Sequence, residues 1–294
     1  MYDICCIGHI TSDKVVTAVS VNYMPGGTAF YFSYAISKLD INYLLVTALG
    51  DGEMHYVDEM RQQNIKVKVQ QSAHTVYFEN IYAEDQDERT QNVLQTADTF
   101  TLQQLADTEA RIFHLGPLLA DDIAINIIKG LSKKGIVALD VQGYLRKVVN
   151  YKVVPADWQW KKEALPYISI LKADVNELLT LTGQHDVKDG CRQLADWGVR
   201  EAVITNGSKG SLIYKEGVFY DIPAYQPKTV VDATGCGDTY MAGYLYQRSK
   251  NIEIQKAGEF AAAMAGLKTE IAGPFTGREQ DVTQFLKEAT TSPF

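Results

Sequence analysis

The stretch Val230-Val231-Asp232-Ala233-Thr234-Gly235-Cys236-Gly237-Asp238-Thr239-Tyr240-Met241-Ala242-Gly243 decides the fold of this chain. An extended approach meets a tight Gly-x-Gly turn, and a helical pattern then runs from Gly237 to Lys250. Glycines let a backbone turn without a Cβ penalty and come close to a ligand. The first N–H groups of the new helix have no intrahelical acceptor. Gly235, Cys236 and Gly237 are therefore candidates for a backbone anion hole suited to a phosphoryl group. Asp238 falls in the first turn, where the helix dipole favours an ionised carboxylate. Beside a bound phosphate it can take the proton of an acceptor hydroxyl. An ordinary helix start with a stabilising first-turn acid has the same pattern, and a bare Gly-x-Gly-Asp does not separate the two.

Outward from this turn, short apolar runs alternate with helical patterns. Residues 3–10, 43–49, 111–115, 136–141, 168–172 and 201–205 are continuous and rich in β-branched residues or Leu, as parallel strands covered on both faces are. Helices are predicted over 28–39, 121–134, 187–197, 237–250, 253–269 and 279–289. The alternation predicts an α/β sandwich. From Lys66 to about Val93 no helix is evident: Lys66-Val67-Lys68-Val69 alternates, 75–83 is rich in Val, Tyr, Phe and Ile, and the charged run 84–88 reads as a turn. This predicts a small antiparallel sheet on the main domain, either an edge hairpin or a lid that excludes water.

Composition bounds the function. The 294 residues carry 28 Lys and Arg against 36 Asp and Glu, a net charge of −8, which argues against a nucleic-acid partner but not against an anionic ligand held by backbone N–H groups. The cysteines Cys5, Cys6, Cys191 and Cys236 form no CxxC pair, and Cys5 and Cys6 lie in an apolar run, as buried thiols do. MYDICCIGHI lacks a basic n-region, and no apolar run approaches the roughly 20 residues of a membrane helix. The expected location is a reducing cytoplasm. There is no GxxxxGK[ST] loop and no GxGxxG after a strand, so a P-loop kinase and a dinucleotide oxidoreductase are poorly supported.

Asp232-Ala233-Thr234-Gly235-Cys236-Gly237-Asp238 resembles the C-terminal signature of the ribokinase/PfkB family of carbohydrate kinases, usually Asp-Thr-x-Gly-Ala-Gly-Asp. Further pieces follow in the family's order. They are Gly8-His9-Ile10-Thr11-Ser12-Asp13, Gly26-Gly27, Ala48-Leu49-Gly50-Asp51-Gly52, Lys172-Ala173-Asp174-Val175-Asn176-Glu177 and Thr205-Asn206-Gly207-Ser208-Lys209-Gly210. The resemblance implies a single kinase domain over 1–294, a ribokinase-like three-layer sandwich with a mostly parallel central sheet and a small β-sheet lid. The lid segments are expected near 11–25 and 66–95. It implies transfer of the γ-phosphate of ATP to a hydroxyl of a sugar or polyol, with Asp238 as the base and Gly235, Cys236 and Gly237 as the anion hole. Asp174, Thr205, Gly207 and Gly210 would contact the nucleotide. Glu177 would act on Mg²⁺, largely through water, and Asp232 would help hold a monovalent cation such as K⁺. Asp174 stands where the family usually has Asn, which adds negative charge. Asp174 and Glu177 at a helix start are also plain first-turn acids, and the 205–210 turn is equally an ordinary strand-to-turn passage.

For the acceptor, the resemblance assigns Asp13 to substrate hydroxyls, with Gly26 and Gly27 letting the backbone approach. Thr11 and Phe30 replace polar residues of ribokinase itself, which argues against ribose. Asp140-Val141-Gln142-Gly143-Tyr144-Leu145-Arg146 resembles the Asp-x-Gln-x-x-x-Arg stretch of plant-type myo-inositol kinases. Gln142 is thereby a candidate for polyol hydroxyls and Arg146 for a phosphate or a lid carboxylate, though a solvated loop cation fits Arg146 as well. The alternatives are a nucleoside kinase, with Phe30 and the tyrosines stacking a base, and a sugar- or nucleotide-binding regulator without catalysis. The intact Gly235, Gly237 and Asp238 count against the regulator. A homodimer is allowed, but the short stretch between Asp13 and Gly26 argues against one built through the lid.

Overall fold

The computed structural model describes residues 1–17, 20–82 and 89–291. The charged run 84–88 lies outside the described residues, as do residues 18 and 19. In chain order the strands are β1 (Tyr2–Ile7), β2 (Thr11–Val16), β3 (Val21–Gly26), β4 (Tyr43–Leu49), β5 (Val67–Gln71), β6 (Val76–Tyr82), β7 (Arg89–Gln95), β8 (Ala110–Leu115), β9 (Ile136–Asp140), β10 (Arg146–Val149), β11 (Lys152–Pro155), β12 (Ile170–Asp174), β13 (Glu201–Thr205), β14 (Ser211–Lys215) and β15 (Val218–Ile222). The helices are α1 (Thr28–Ser37), α2 (Met54–Gln62), α3 (Ile125–Leu131), α4 (Lys161–Ala164), α5 (Val175–Thr182), α6 (Val187–Asp196), α7 (Cys236–Ser249), α8 (Ile254–Lys268) and α9 (Glu279–Thr291).

A nine-stranded sheet runs in the order β15-β14-β13-β12-β9-β8-β1-β4-β5. From β13 to β5 all pairings are parallel, while β14 and β15 close one edge as an antiparallel hairpin. Strand β1 shows why its sequence has no polar alternation. Ile4 and Cys6 enter the apolar layer under α1, α7 and α8, while Cys5 and Ile7 enter the layer under α3, α5 and α6. The two adjacent cysteines thus point to opposite cores, and burial pushes the Cys5 thiol up to about 12. The three-layer α/β sandwich agrees with the expected fold class.

The second sheet has six strands in the order β10-β11-β7-β6-β2-β3, over a small apolar cluster of Val76, Phe78, Val93, Leu118 and Leu119. Here the structure corrects the sequence-based expectations. The first predicted strand, 3–10, ends at Ile7, and the chain re-enters as β2 in the other sheet, so Asp13 lies within that strand, opposite Met24 and Phe78. The segment 67–71, expected with the small sheet, pairs parallel with β4 at the edge of the large one. The small sheet is mixed, because β2 and β6 run parallel, and it recruits the unforeseen hairpin β10–β11. The helix expected over 121–134 shortens to α3 because Asp122 turns back to accept the N–H groups of Leu118 and Leu119.

Candidate active site

Helix α7 begins as its sequence requires. Gly235 has φ +76°, and a Cβ there would run into the Tyr31 ring, so both conformation and space exclude a side chain. The Cys236 N–H closes a turn onto the Ala233 carbonyl at 3.2 Å, and the Thr239 N–H bonds the Gly235 carbonyl at 2.9 Å. The N–H groups of Gly237 and Asp238 have no acceptor among the described residues. The open donors of the expected anion hole are thus shifted along the chain by the engagement of Cys236. The Cys236 thiol lies 3.7 Å from the Ala265 carbonyl and is pushed up to about 11 by burial, so it packs against α8.

Asp238 is partly buried beside this turn. Burial pushes its carboxyl up to about 6, and the negative charges of Asp140 and Glu177 act the same way. Lys172 and a hydrogen bond from the Thr28 hydroxyl pull in the opposite direction without cancelling them. A carboxylate poised near neutrality suits proton transfer at physiological pH.

Lys172 is the residue that joins the parts, and no role was read for it in the sequence. Its side chain is 7% exposed, with the ammonium 2.9 Å from Asp140 Oδ2 and 3.9 Å from Glu177 Oε2. It also lies under the α7 turn, where a Cβ on Gly237 would sit 3.3 Å from Nζ. Burial works against its charge, but Asp140, Glu177 and Asp238 together hold it well above the ordinary lysine value. Cross-strand register explains the pairing, because Lys172 on β12 sits opposite Asp140 on β9. A charged residue at the end of an apolar parallel strand is seldom buried without a partner, and that was the available signal for both.

Asp174 and Glu177 form a reciprocal cap on α5. Asp174 Oδ1 accepts the N–H groups of Asn176 and Glu177, each at 2.8 Å, and Glu177 Oε2 accepts the Asp174 N–H at 2.7 Å. Burial raises the Glu177 carboxyl, Lys172 opposes this, and Asp140 and Asp174 add to it. Gln142 and Arg146 share a cleft of about 270 Å³ with Asp174, Glu177 and Gln91. The Gln142 N–H is held at 3.1 Å by Asp140 Oδ1, the carboxylate whose other oxygen meets Lys172.

On the other side, Asp13 and the di-glycine meet. A Cβ on Gly26 would fall 2.5 Å from Asp13 Oδ2, and one on Gly27, at φ +90°, would fall 2.8 Å from the His9 carbonyl. Helix α1 starts directly after, and the hydroxyl of its first residue, Thr28, lies beside Asp238 and favours its ionised form. Phe30 is 5% exposed and packs edge-on to Tyr31, which removes it from the expected role of stacking a base.

The turn 205–210 closes through the Asn206 N–H onto the Gly210 carbonyl at 2.8 Å, with Gly207 at φ +53° and Gly210 at φ +91°. A cleft of about 730 Å³ opens beside it, lined among others by His185, Lys188, Asn206, Lys209 and Asp221. Asp232 stands apart from the Lys172 group and is tied to Lys268 on α8. Among the described residues no three His, Cys, Asp or Glu side chains converge as a metal site. A Mg²⁺ that arrives on phosphates and keeps most of its waters needs only one or two carboxylates, and Glu177 beside Asp174 fits that demand.

A family model for pfkB family carbohydrate kinases matches residues 1–280, and the chain belongs to that family. The class is thereby a kinase that moves a phosphoryl group onto a hydroxyl of a sugar or nucleoside. Among curated relatives, the cytidine kinase of Thermococcus kodakarensis is 26% identical over 86% of this chain and 91% of its own length. Among solved structures, a pyrophosphate-dependent kinase in the ribokinase family, complexed with a pyrophosphate analogue and myo-inositol, superposes with a TM-score of 0.86. It is 28% identical, with 96% of this chain and 99% of that one covered. Ribokinase of Arabidopsis thaliana, complexed with ribose and ATP, superposes with a TM-score of 0.80 at 20% identity, over 97% and 99% of the two chains, a likeness of fold. No helix of the described residues is long and apolar enough to cross a membrane.

Proposed function

We propose that this kinase phosphorylates a hydroxyl of a neutral polyol, with myo-inositol the first acceptor to test, using the γ-phosphate of ATP and Mg²⁺. The observation that carries this is Asp238, with its carboxyl pushed up to about 6, in the first turn of α7 and beside Thr28, the first residue of the helix that follows Gly26 and Gly27. In the proposed reaction Asp238 takes the proton of the acceptor hydroxyl. The N–H groups of Gly235, Gly237 and Asp238 face the charge on the transferred phosphoryl group, with Lys172 beneath them. Asp13, Gly26 and Gly27 receive the acceptor, and Gln142 adds an amide to its hydroxyls. Arg146 and Glu177 address the phosphates and their Mg²⁺, while Thr205, Gly207 and Gly210 border the nucleotide. The six-stranded sheet, through β2, β3, β6 and β7, serves as the lid within a single domain.

The burial of Phe30 weighs against a nucleoside acceptor, since the ring expected to stack a base is spent on Tyr31. The superposition on a pyrophosphate-dependent kinase supports a second reading for the donor, in which pyrophosphate replaces ATP at the same turn. The test is a turnover panel with purified protein: ATP or pyrophosphate as donor, and myo-inositol, other inositols, ribose or cytidine as acceptor, with products followed by phosphorus NMR. The expected result is myo-inositol or another cyclic polyol ahead of cytidine in kcat/KM. Cytidine ahead of every polyol overturns the acceptor assignment, and turnover with pyrophosphate alone overturns the ATP assignment.

A further inference from the structure

We infer that Lys268 replaces a monovalent cation in this chain, its ammonium tethered where an ion at Asp232 would sit, so that the α7 turn is positioned without K⁺. The functional half of this inference rests on the proposed phosphate-cradling role of that turn. Asp232 was expected to help hold an ion, and its oxygens are already engaged. Oδ1 accepts the Thr234 N–H at 2.8 Å, Oδ2 accepts the Lys268 ammonium at 2.9 Å and the Gly273 N–H at 3.2 Å, and the main-chain carbonyl accepts Lys268 Nζ at 2.8 Å. A desolvated K⁺ needs several oxygens aimed at one point in place of its water shell. Here that point belongs to an ammonium on a side chain that is 0% exposed. These residues do not fit a bound ion.

The surroundings show what the ammonium holds. Lys268 is the last residue of α8, where the helix dipole favours a cation. The neighbouring Thr269 carbonyl accepts the N–H groups of Val231 and Asp232 at 2.7 and 3.1 Å, and Glu270 Oε1 accepts the Lys228 N–H at 2.6 Å. The Cys236 thiol reaches Ala265, one turn earlier on α8. The segment from 228 to 236 is thus fastened along the end of α8, with the Lys268–Asp232 pair as its charged pin. Asp232 is three residues before Gly235, so this pin sets the entry to the turn whose N–H groups meet the phosphoryl group. A free ion would leave this geometry to the salt in solution, whereas a lysine makes it permanent.

The experiment compares KCl, NaCl and tetramethylammonium chloride at equal ionic strength, reading melting temperature and, separately, turnover. The native protein is expected to keep its melting temperature and to hold its rate within about twofold across the three salts. Lys268→Ala is expected to melt lower and to lose roughly tenfold or more in turnover. Both losses should recover saturably with K⁺, NH₄⁺ or ethylammonium and not with tetramethylammonium. A native enzyme that needs K⁺, a Lys268→Ala protein indistinguishable from native, or a loss that none of these cations rescues overturns the inference. Should Lys268→Ala not fold, Lys268→Met keeps the aliphatic stem, and the salt comparison on the native protein decides by itself. The melting readout needs no substrate, so failure of the polyol assignment and failure of this inference are told apart.

Discussion

Two buried lysines flank the turn from Gly235 to Gly237, and they are balanced differently. Lys268 faces one carboxylate, Asp232, and that residue's carbonyl. Burial would raise the Asp232 carboxyl, but its bonds from Lys268 and Thr234 outweigh this and hold it below the usual carboxylate range. Lys172 faces Asp140, Glu177 and Asp238 with a single positive charge. There burial pushes the carboxyls of Asp238 and Glu177 upward, and because the acids outnumber the cation Lys172 does not cancel it. A neutralised, saturated pair fixes a backbone. An acid-rich group keeps one carboxylate near its titration point, where it can exchange a proton. The same residue type thus serves scaffold on one side of the turn and chemistry on the other.

Removing the cation from the acid-rich side should have the largest effect. Lys172→Met strands Asp140 among buried groups, a loss on the order of 3–5 kcal/mol of stability, measurable by denaturant unfolding. In whatever folds, the Asp238 carboxyl should titrate higher than in the native protein, because Lys172 pulls it down. An unchanged acid limb in the pH–rate profile would separate Lys172 from Asp238 and break the comparison. Asp238→Asn should cost roughly 10²-fold or more in kcat and yet raise the melting temperature at pH 8. The folded carboxyl titrates near 6, above its ordinary value of 3.8. Between those values the native state binds more protons than the unfolded state, so stability falls as pH rises through that window. Above it the ionised carboxylate costs about 1–3 kcal/mol, which the amide removes. Near-native kcat in a well-folded variant would take Asp238 out of the base role.

The native enzyme offers a gentler test. Its kcat/KM should drop about tenfold per unit below the limb near pH 6 set by Asp238. A flat profile down to pH 4.5 would contradict the raised carboxyl. The smallest effect is expected at the cap of α5. Glu177→Gln should raise the Mg²⁺ needed for half-maximal rate by roughly severalfold, with the acceptor KM nearly unchanged. A shift in acceptor KM alone would move Glu177 from the metal to the acceptor side.

The local motifs carried much of this in advance. Gly-x-Gly-Asp announced a tight turn opening a helix, and at Gly235 the left-handed φ and the Tyr31 ring give the physical cause. The apolar runs announced a sheet covered on both faces because strand register with period two gave no polar side, as Ile4, Cys5, Cys6 and Ile7 show. Local pattern does not say which strand neighbours which. Packing of distant segments sets that β2 leaves the large sheet with Asp13, that Val67–Gln71 joins it, and that Lys172 meets Asp140 across β9 and β12. It also sets that Lys268, 36 positions after Asp232, lies against it. A charged side chain's role depends on the sum of charges and bonds converging on it, and that sum is assembled from segments far apart in the chain.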